Sequence, residues 1–227
     1  ISIEGFTVRN SSWPNAGINV YSSNNCITDN NISNNDDGIY LYYSSNNRIT
    51  DNNISNNDDG IRLSHSSNNR ITDNNISNND DGIYLYYSSN NRITGNNISS
   101  NNRDGIYLYY SSNNNSITDN NISSNNRYGI LLDSSNNRIT NNIISNNLYG
   151  IFLWYYSSNN RIYLNNFIDN SDNVFSYYSA NIWNSTEEMT YTYNGKTYTS
   201  YLGNYWSDYK GSDADEDGIG DTPYSIN

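Results

Sequence analysis

Three pairs of neighbouring acids, Asp36-Asp37, Asp58-Asp59 and Asp80-Asp81, are the residues here whose type and spacing could do acid–base chemistry. In glycoside hydrolysis one carboxyl protonates the leaving oxygen while a second activates water. Each pair precedes a glycine and recurs at a constant step, however, whereas an active site is normally a single constellation. Asp-Gly is also ordinary turn chemistry, so the stripe reads as turns or a weak cation ladder. The single histidine, His65, takes the place of a tyrosine in its column. No catalytic residue is assigned; the six acids and His65 remain the candidates.

A second acidic motif lies near the end of the chain. Asp213, Asp215, Asp217, Ile219 through its backbone carbonyl, and Asp221 fall at positions 1, 3, 5, 7 and 9 of an EF-hand-type loop, with Gly218 at the turn position. Position 12 is Tyr224, not the bidentate glutamate, so the loop more closely resembles dockerin or thrombospondin type-3 calcium loops. Calcium is the expected cofactor, ordering the tail without catalysing. No copper is expected, because one cysteine (Cys26), one histidine (His65) and one methionine (Met189) lie far apart in sequence. A lone cysteine also excludes an internal disulfide.

The aromatic residues form columns. Tyr40, Tyr84, Tyr107 and Phe152 make one, and Tyr42, Tyr86, Tyr109 and Trp154 the next, joined by Tyr21. Tyr43, Tyr87, Tyr110 and Tyr155 make a third at the bend. Alternation puts the first two outside, where flat rings with polar handles suit stacking on sugars or packing against a neighbouring subunit.

What positions these residues is a repeat of about 22 residues. Ile27, Ile49, Ile71, Ile93, Ile117, Ile139 and Ile162 follow one another at steps of 22, 22, 22, 24, 22 and 23, and a Gly-Ile-x-Leu core keeps the same rhythm. Each segment alternates with period two, as in Ile39-Tyr40-Leu41-Tyr42, and none shows a helical period. Seven coils of short strands, from about residue 17 to 170, predict a parallel β-helix about 34 Å long. The corner glycines, Gly38 and Gly60 among them, are expected to need a positive φ. Asn52, Asn74 and Asn96 are expected to stack inward as a hydrogen-bonded ladder. Arg48, Arg70, Arg92, Arg138 and Arg161 form a column that Asp51 and Asp73 should offset as surface ion pairs. Residues 171–227 read as a C-terminal cap packed on the helix, with a hairpin turning at Asn194-Gly195 and covering the open end.

Composition agrees. Of 227 residues 51 are Asn and 24 Tyr, and the net charge is −12. Eleven basic residues against 23 acidic ones argue against nucleic acid, and no stretch approaches the roughly 20 apolar residues of a membrane span. Asn31, Asn53, Asn75, Asn97 and Asn121 each begin an Asn-Ile-Ser glycosylation signal that the repeat generates automatically. The chain opens mid-pattern, as an excised domain or mature fragment would.

The coil motifs NNRITxNNIS and DGIYL resemble the parallel β-helix repeats of the NosD-like, carbohydrate-binding and sugar-hydrolase (CASH) group. The tail GNYWSDY at 203–209 with DGIGDTPY at 217–224 resembles the end of such domains in surface proteins of methanogenic archaea. The resemblance implies a right-handed β-helix in an exported, cell-surface setting. The expectation is therefore an extracellular surface module, structural or carbohydrate-binding through its Tyr-rich face, with glycan or neighbouring surface-protein subunits as partners. The rival is a polysaccharide-degrading hydrolase or lyase. Coil lengths that vary by only one or two residues leave no long loops to wall a cleft, which favours the module.

Overall fold

The computed structural model describes residues 1–12, 15–155 and 157–226. Among them no helix forms; short parallel strands stack into a three-faced solenoid. Within one stretch of chain, Arg70–Thr72 lies in the first sheet, Asn75–Ser77 in the second and Asp81–Tyr86 in the third. The three sheets hold eight, nine and eight strands. Each strand pairs with its counterpart one coil away, so Ile71 lies between Ile49 and Ile93, and Ile83 between Ile61 and Ile106. These aliphatics are fully buried, forming one continuous core of like residues.

The solenoid extends beyond the seven coils that the repeat marks. Ser2–Glu4 and Thr7–Arg9 begin the first two sheets, while Asp172–Ser176 and Tyr205–Trp206 continue the third and second at the far end. These segments lack the Asn-Asn corners but keep an apolar residue at the inward position: Ile3, Val8, Val174 and Trp206. The end of the core is covered by aromatic stacking. Trp206 lies 4.4 Å from Phe167 and 4.2 Å from Tyr224, ring centre to ring centre, with Trp183 at 6.3 Å. The hairpin forms as expected from Met189–Tyr193 and Lys196–Ser200. It meets the acidic loop, where the Tyr198 hydroxyl donates to the Glu216 carbonyl at 3.0 Å.

Corners are turned by left-handed Asn and Asp, for example Asp51, Asn56, Asp73 and Asn78 with φ of 55–58°. These side chains tolerate that region better than most. The corner glycines instead have ordinary φ, which corrects the expected role. A β-carbon on Gly60 would lie 2.5 Å from the Gly82 carbonyl oxygen and 2.8 Å from Ile76. What they supply is close approach between coils.

The inward Asn ladder forms. Asn52 donates from its backbone N–H and its side-chain amide to Asn74 Oδ1 at 3.0 and 2.9 Å, and Asn74 does the same to Asn96. Two further ladders, through Asn47, Asn69 and Asn91 and through Asn57, Asn79 and Asn101, line other corners. The arginine column stacks in register, but the ion pairs among the described residues are made by Arg62 and Arg103, not by that column. Asp51 and Asp73 are spent on the left-handed corner that follows each arginine strand.

Candidate functional site

The third sheet carries the site. Register places Asp37, Asp59, Asp81 and Asp104 one above another, each two residues before the inward isoleucine of its coil. Asp37, Asp81 and Asp104 are buried, Asp104 completely, and Asp59 keeps 14% of its side chain exposed. Their outer neighbours Asp36, Asp58 and Asp80 join Asp37, Asp59 and Asp81 in lining a groove of about 410 Å³. Arg62, Arg103, Tyr84 and Tyr107 complete its walls.

Arg62 occupies the tyrosine position of its coil. Its guanidinium carbon sits 5.4 Å from the ring centres of both Tyr40 and Tyr84, a favourable placement over aromatic faces. The same guanidinium reaches Asp37 at 3.9 Å and Asp59 at 3.7 Å, and Arg103 reaches Asp81 at 3.5 Å. The Asp104 N–H donates to Asp81 Oδ1 at 3.0 Å, and Tyr128 N–H donates to Asp104 Oδ1 at 3.3 Å. Asp104 Oδ2 has no hydrogen-bond partner.

Desolvation dominates the electrostatics. Burial raises Asp37 to about 6 against the pull of Arg62, and Asp104 to about 7 with Asp81 adding repulsion. Asp59 is raised well above the carboxylate range by burial and by Asp37 and Asp81, and Asp81 is raised by burial although Arg103 opposes it. Burial also lifts Tyr84 to about 12. Two guanidiniums therefore under-compensate the column.

The aromatic columns lie beside this groove. Tyr84 and Tyr107 are 5.2 Å apart, Tyr86 and Tyr109 5.9 Å, and Tyr40 and Tyr42 5.9 Å. Trp154 and Tyr42 are exposed, whereas Phe152 is buried, at 4.5 Å from Tyr128 and 4.7 Å from Phe175. Its neighbours in the column and across the coil cover it, so it supports the row without presenting a face. His65 lies outside the groove, stacked between Tyr43 at 4.7 Å and Tyr87 at 5.2 Å, with Nδ1 3.1 Å from Ser64 Oγ. Sequence reasoning overlooked Arg62, Arg103 and Asp104. The signal was present: IRL stands where other coils read IYL, and an extra residue interrupts the fifth coil at NNRDG.

In the tail, ligand oxygens of Asp213, Asp215 and Asp217 lie within 4.8 Å of one another. Asp213 accepts from the N–H groups of Asp217 and Gly218 at 3.0 and 2.9 Å, Asp217 from Ile219 at 2.7 Å, and Asp221 from Ala214 at 2.7 Å.

The family model described as periplasmic copper-binding protein (NosD) matches residues 1–211. No curated protein matches the chain by sequence. Among solved structures, the A-module of the Azotobacter vinelandii mannuronan C-5 epimerase AlgE6 aligns with a TM-score of 0.64 at 18% identity, over 77% of this chain and 56% of that one. A double mutant of the periplasmic alginate epimerase AlgG gives 0.61 at 26%, over 64% and 36%. The Dettilon tailspike protein gives 0.64 at 20%, over 72% and 40%. The chain thus spans little more than half the length of these structures at most, and the shared feature is the β-helix.

The soft donors of the chain lie in separate parts of the fold. Cys26 pairs with Arg48 in the first sheet, His65 is held between two tyrosine rings, and Met189 lies in the hairpin. Among the described residues, the acids that cluster with ligand spacing are carboxylates, which suit hard cations.

Proposed function

The chain belongs to the NosD family of β-helix proteins, and from that premise we propose that it is a carbohydrate-binding module working outside the cytoplasm, in a surface protein of the kind its tail resembles. The observation that carries this reading is the third-sheet face, where tyrosine rings run alongside a groove of carboxylates. Carboxylates accept hydrogen bonds from sugar hydroxyls, and ring faces stack on the apolar faces of pyranoses. Tyr84 and Tyr107 contact the sugar in the groove, and Tyr86 and Tyr109 extend the platform; Trp154 lies beyond the coil of Asp133, among Phe152 and Tyr177, as a separate aromatic surface. That the names of neighbouring structures include epimerases of mannuronan and alginate supports a carbohydrate ligand.

Affinity electrophoresis across a panel of polysaccharides tests it, with parallel assays for new reducing ends and unsaturated products. Retardation without products is expected, and Tyr86→Ala with Tyr109→Ala should weaken it about tenfold while the melting temperature holds. Products would replace the module by the enzyme, with the groove acids as its catalytic groups. Unchanged retardation in the double variant would remove the platform from the reading, and no retardation on any polysaccharide would leave packing against neighbouring subunits as its use.

Calcium in the Asp213–Asp221 loop is part of the same proposal. The ion would take oxygens from Asp213, Asp215, Asp217, Ile219 and Asp221 and tie the tail together. Millimolar chelator should then lower the melting temperature by about 5 °C through loss of ligand linkage. A melt that does not move removes the ion.

A further inference from the structure

We propose that the groove selects a protonated amino sugar: the ammonium of a hexosamine sits among Asp37, Asp59 and Asp81, and the ring rests against Tyr84 and Tyr107. This rests on the glycan reading above and names the class of sugar. Six carboxyls line the groove against two guanidiniums, whose nearest approaches are 3.5–3.9 Å. Behind them Asp104, completely buried and flanked in the column by Asp81, holds an oxygen with no partner.

The fold does not require these acids. The same register position is Ala16 in an earlier coil and Tyr128 and Tyr149 in later ones, and the solenoid continues through all of them. Three buried carboxyls, Asp37, Asp81 and Asp104, and the largely covered Asp59 are therefore held there at an energetic cost that packing alone does not explain. An ammonium is a compact charge with three donors, which matches several converging carboxylate oxygens. A uronate would bring a further negative charge into an already negative groove. An amino-sugar ligand thus differs from the mannuronan and alginate named for the structural neighbours.

The test compares binding of glucosamine oligomers, their fully N-acetylated counterparts and oligomannuronate to the intact chain, at neutral pH with calcium present. The free-amine oligomer should bind at least about tenfold more tightly than the acetylated one, and the oligomannuronate least. Asp59→Asn with Asp81→Asn should remove that preference. Asp119→Asn with Asp169→Asn, equal in charge but on exposed corners away from the groove, should keep it. Equal binding of free and acetylated oligomers overturns the ammonium site and leaves the glycan reading standing. Equal loss in both variant pairs shows bulk attraction to an acidic protein and also overturns it. No binding by any oligomer overturns the ammonium site, and the polysaccharide panel then decides the glycan reading.

Discussion

Gly82→Ala is expected to destabilise the solenoid by at least about 3 kcal/mol, enough to abolish folding at ordinary temperature in a marginal domain. A β-carbon there would lie 2.5 Å from the Gly105 carbonyl oxygen, 2.7 Å from Ile98 Cγ2 and 3.0 Å from Asn101 Nδ2. None of these can retreat cheaply. Ile98 is a fully buried core residue, and the Asn101 amide is bonded to Asn125 at 2.8 Å. The Gly82 N–H donates to the Asp104 carbonyl at 2.9 Å, so pushing the coils apart also breaks a buried hydrogen bond. Gly203→Ala is the control: its nearest neighbour is the Trp183 carbonyl at 3.6 Å, and its effect should stay within about 0.5 kcal/mol. Urea denaturation of both variants decides. If Gly82→Ala loses no more than Gly203→Ala, close coil approach is not what the corner glycine provides.

Asp104→Asn should have the opposite sign, stabilising the protein by about 3 kcal/mol above pH 7 and much less near pH 5. Asp104 is raised to about 7 and Asp37 to about 6, both mainly by burial. Between the ordinary aspartate value near 4 and these raised values, the folded chain holds protons that the unfolded chain has released. Stability from these groups is therefore full at the acid end and falls as pH rises through about 6 and 7. Asparagine has the same shape and no charge to desolvate, so the fall contributed by Asp104 disappears. Urea midpoints at pH 5 and pH 8, for wild type and variant, measure it. A variant whose pH slope matches that of the wild type would mean that Asp104 ionises as freely when folded as when unfolded.

How much of this was legible in the sequence depends on whether a feature repeats. Ile49, Ile71 and Ile93 at equal steps, with period-two alternation between corners, leave a stacked parallel solenoid as the arrangement that buries every isoleucine of that column. The Asn52–Asn74–Asn96 ladder follows because an inward amide at every coil must find a partner and meets its own copy. Asn194-Gly195 gives the hairpin by local turn preference, and Asn194 and Gly195 indeed sit at φ of 47° and 77°.

Tertiary structure alone decided the rest. The acid pairs look alike in sequence, yet Asp37, Asp59 and Asp81 stack in the inner column, where burial raises each above the ordinary aspartate value, while Asp36, Asp58 and Asp80 line the rim. Arg62 is a single departure in a tyrosine column, but stacking brings it between Tyr40 and Tyr84 and beside Asp37, residues from neighbouring coils, as well as Asp59 of its own strand. Phe152 alternates outward like Tyr84 but is covered by Tyr128 and Phe175 from the coils on either side. Periodicity states which residues share a column. Desolvation and contact across coils depend on how closely those columns pack, and that distance is a property of the assembled solenoid.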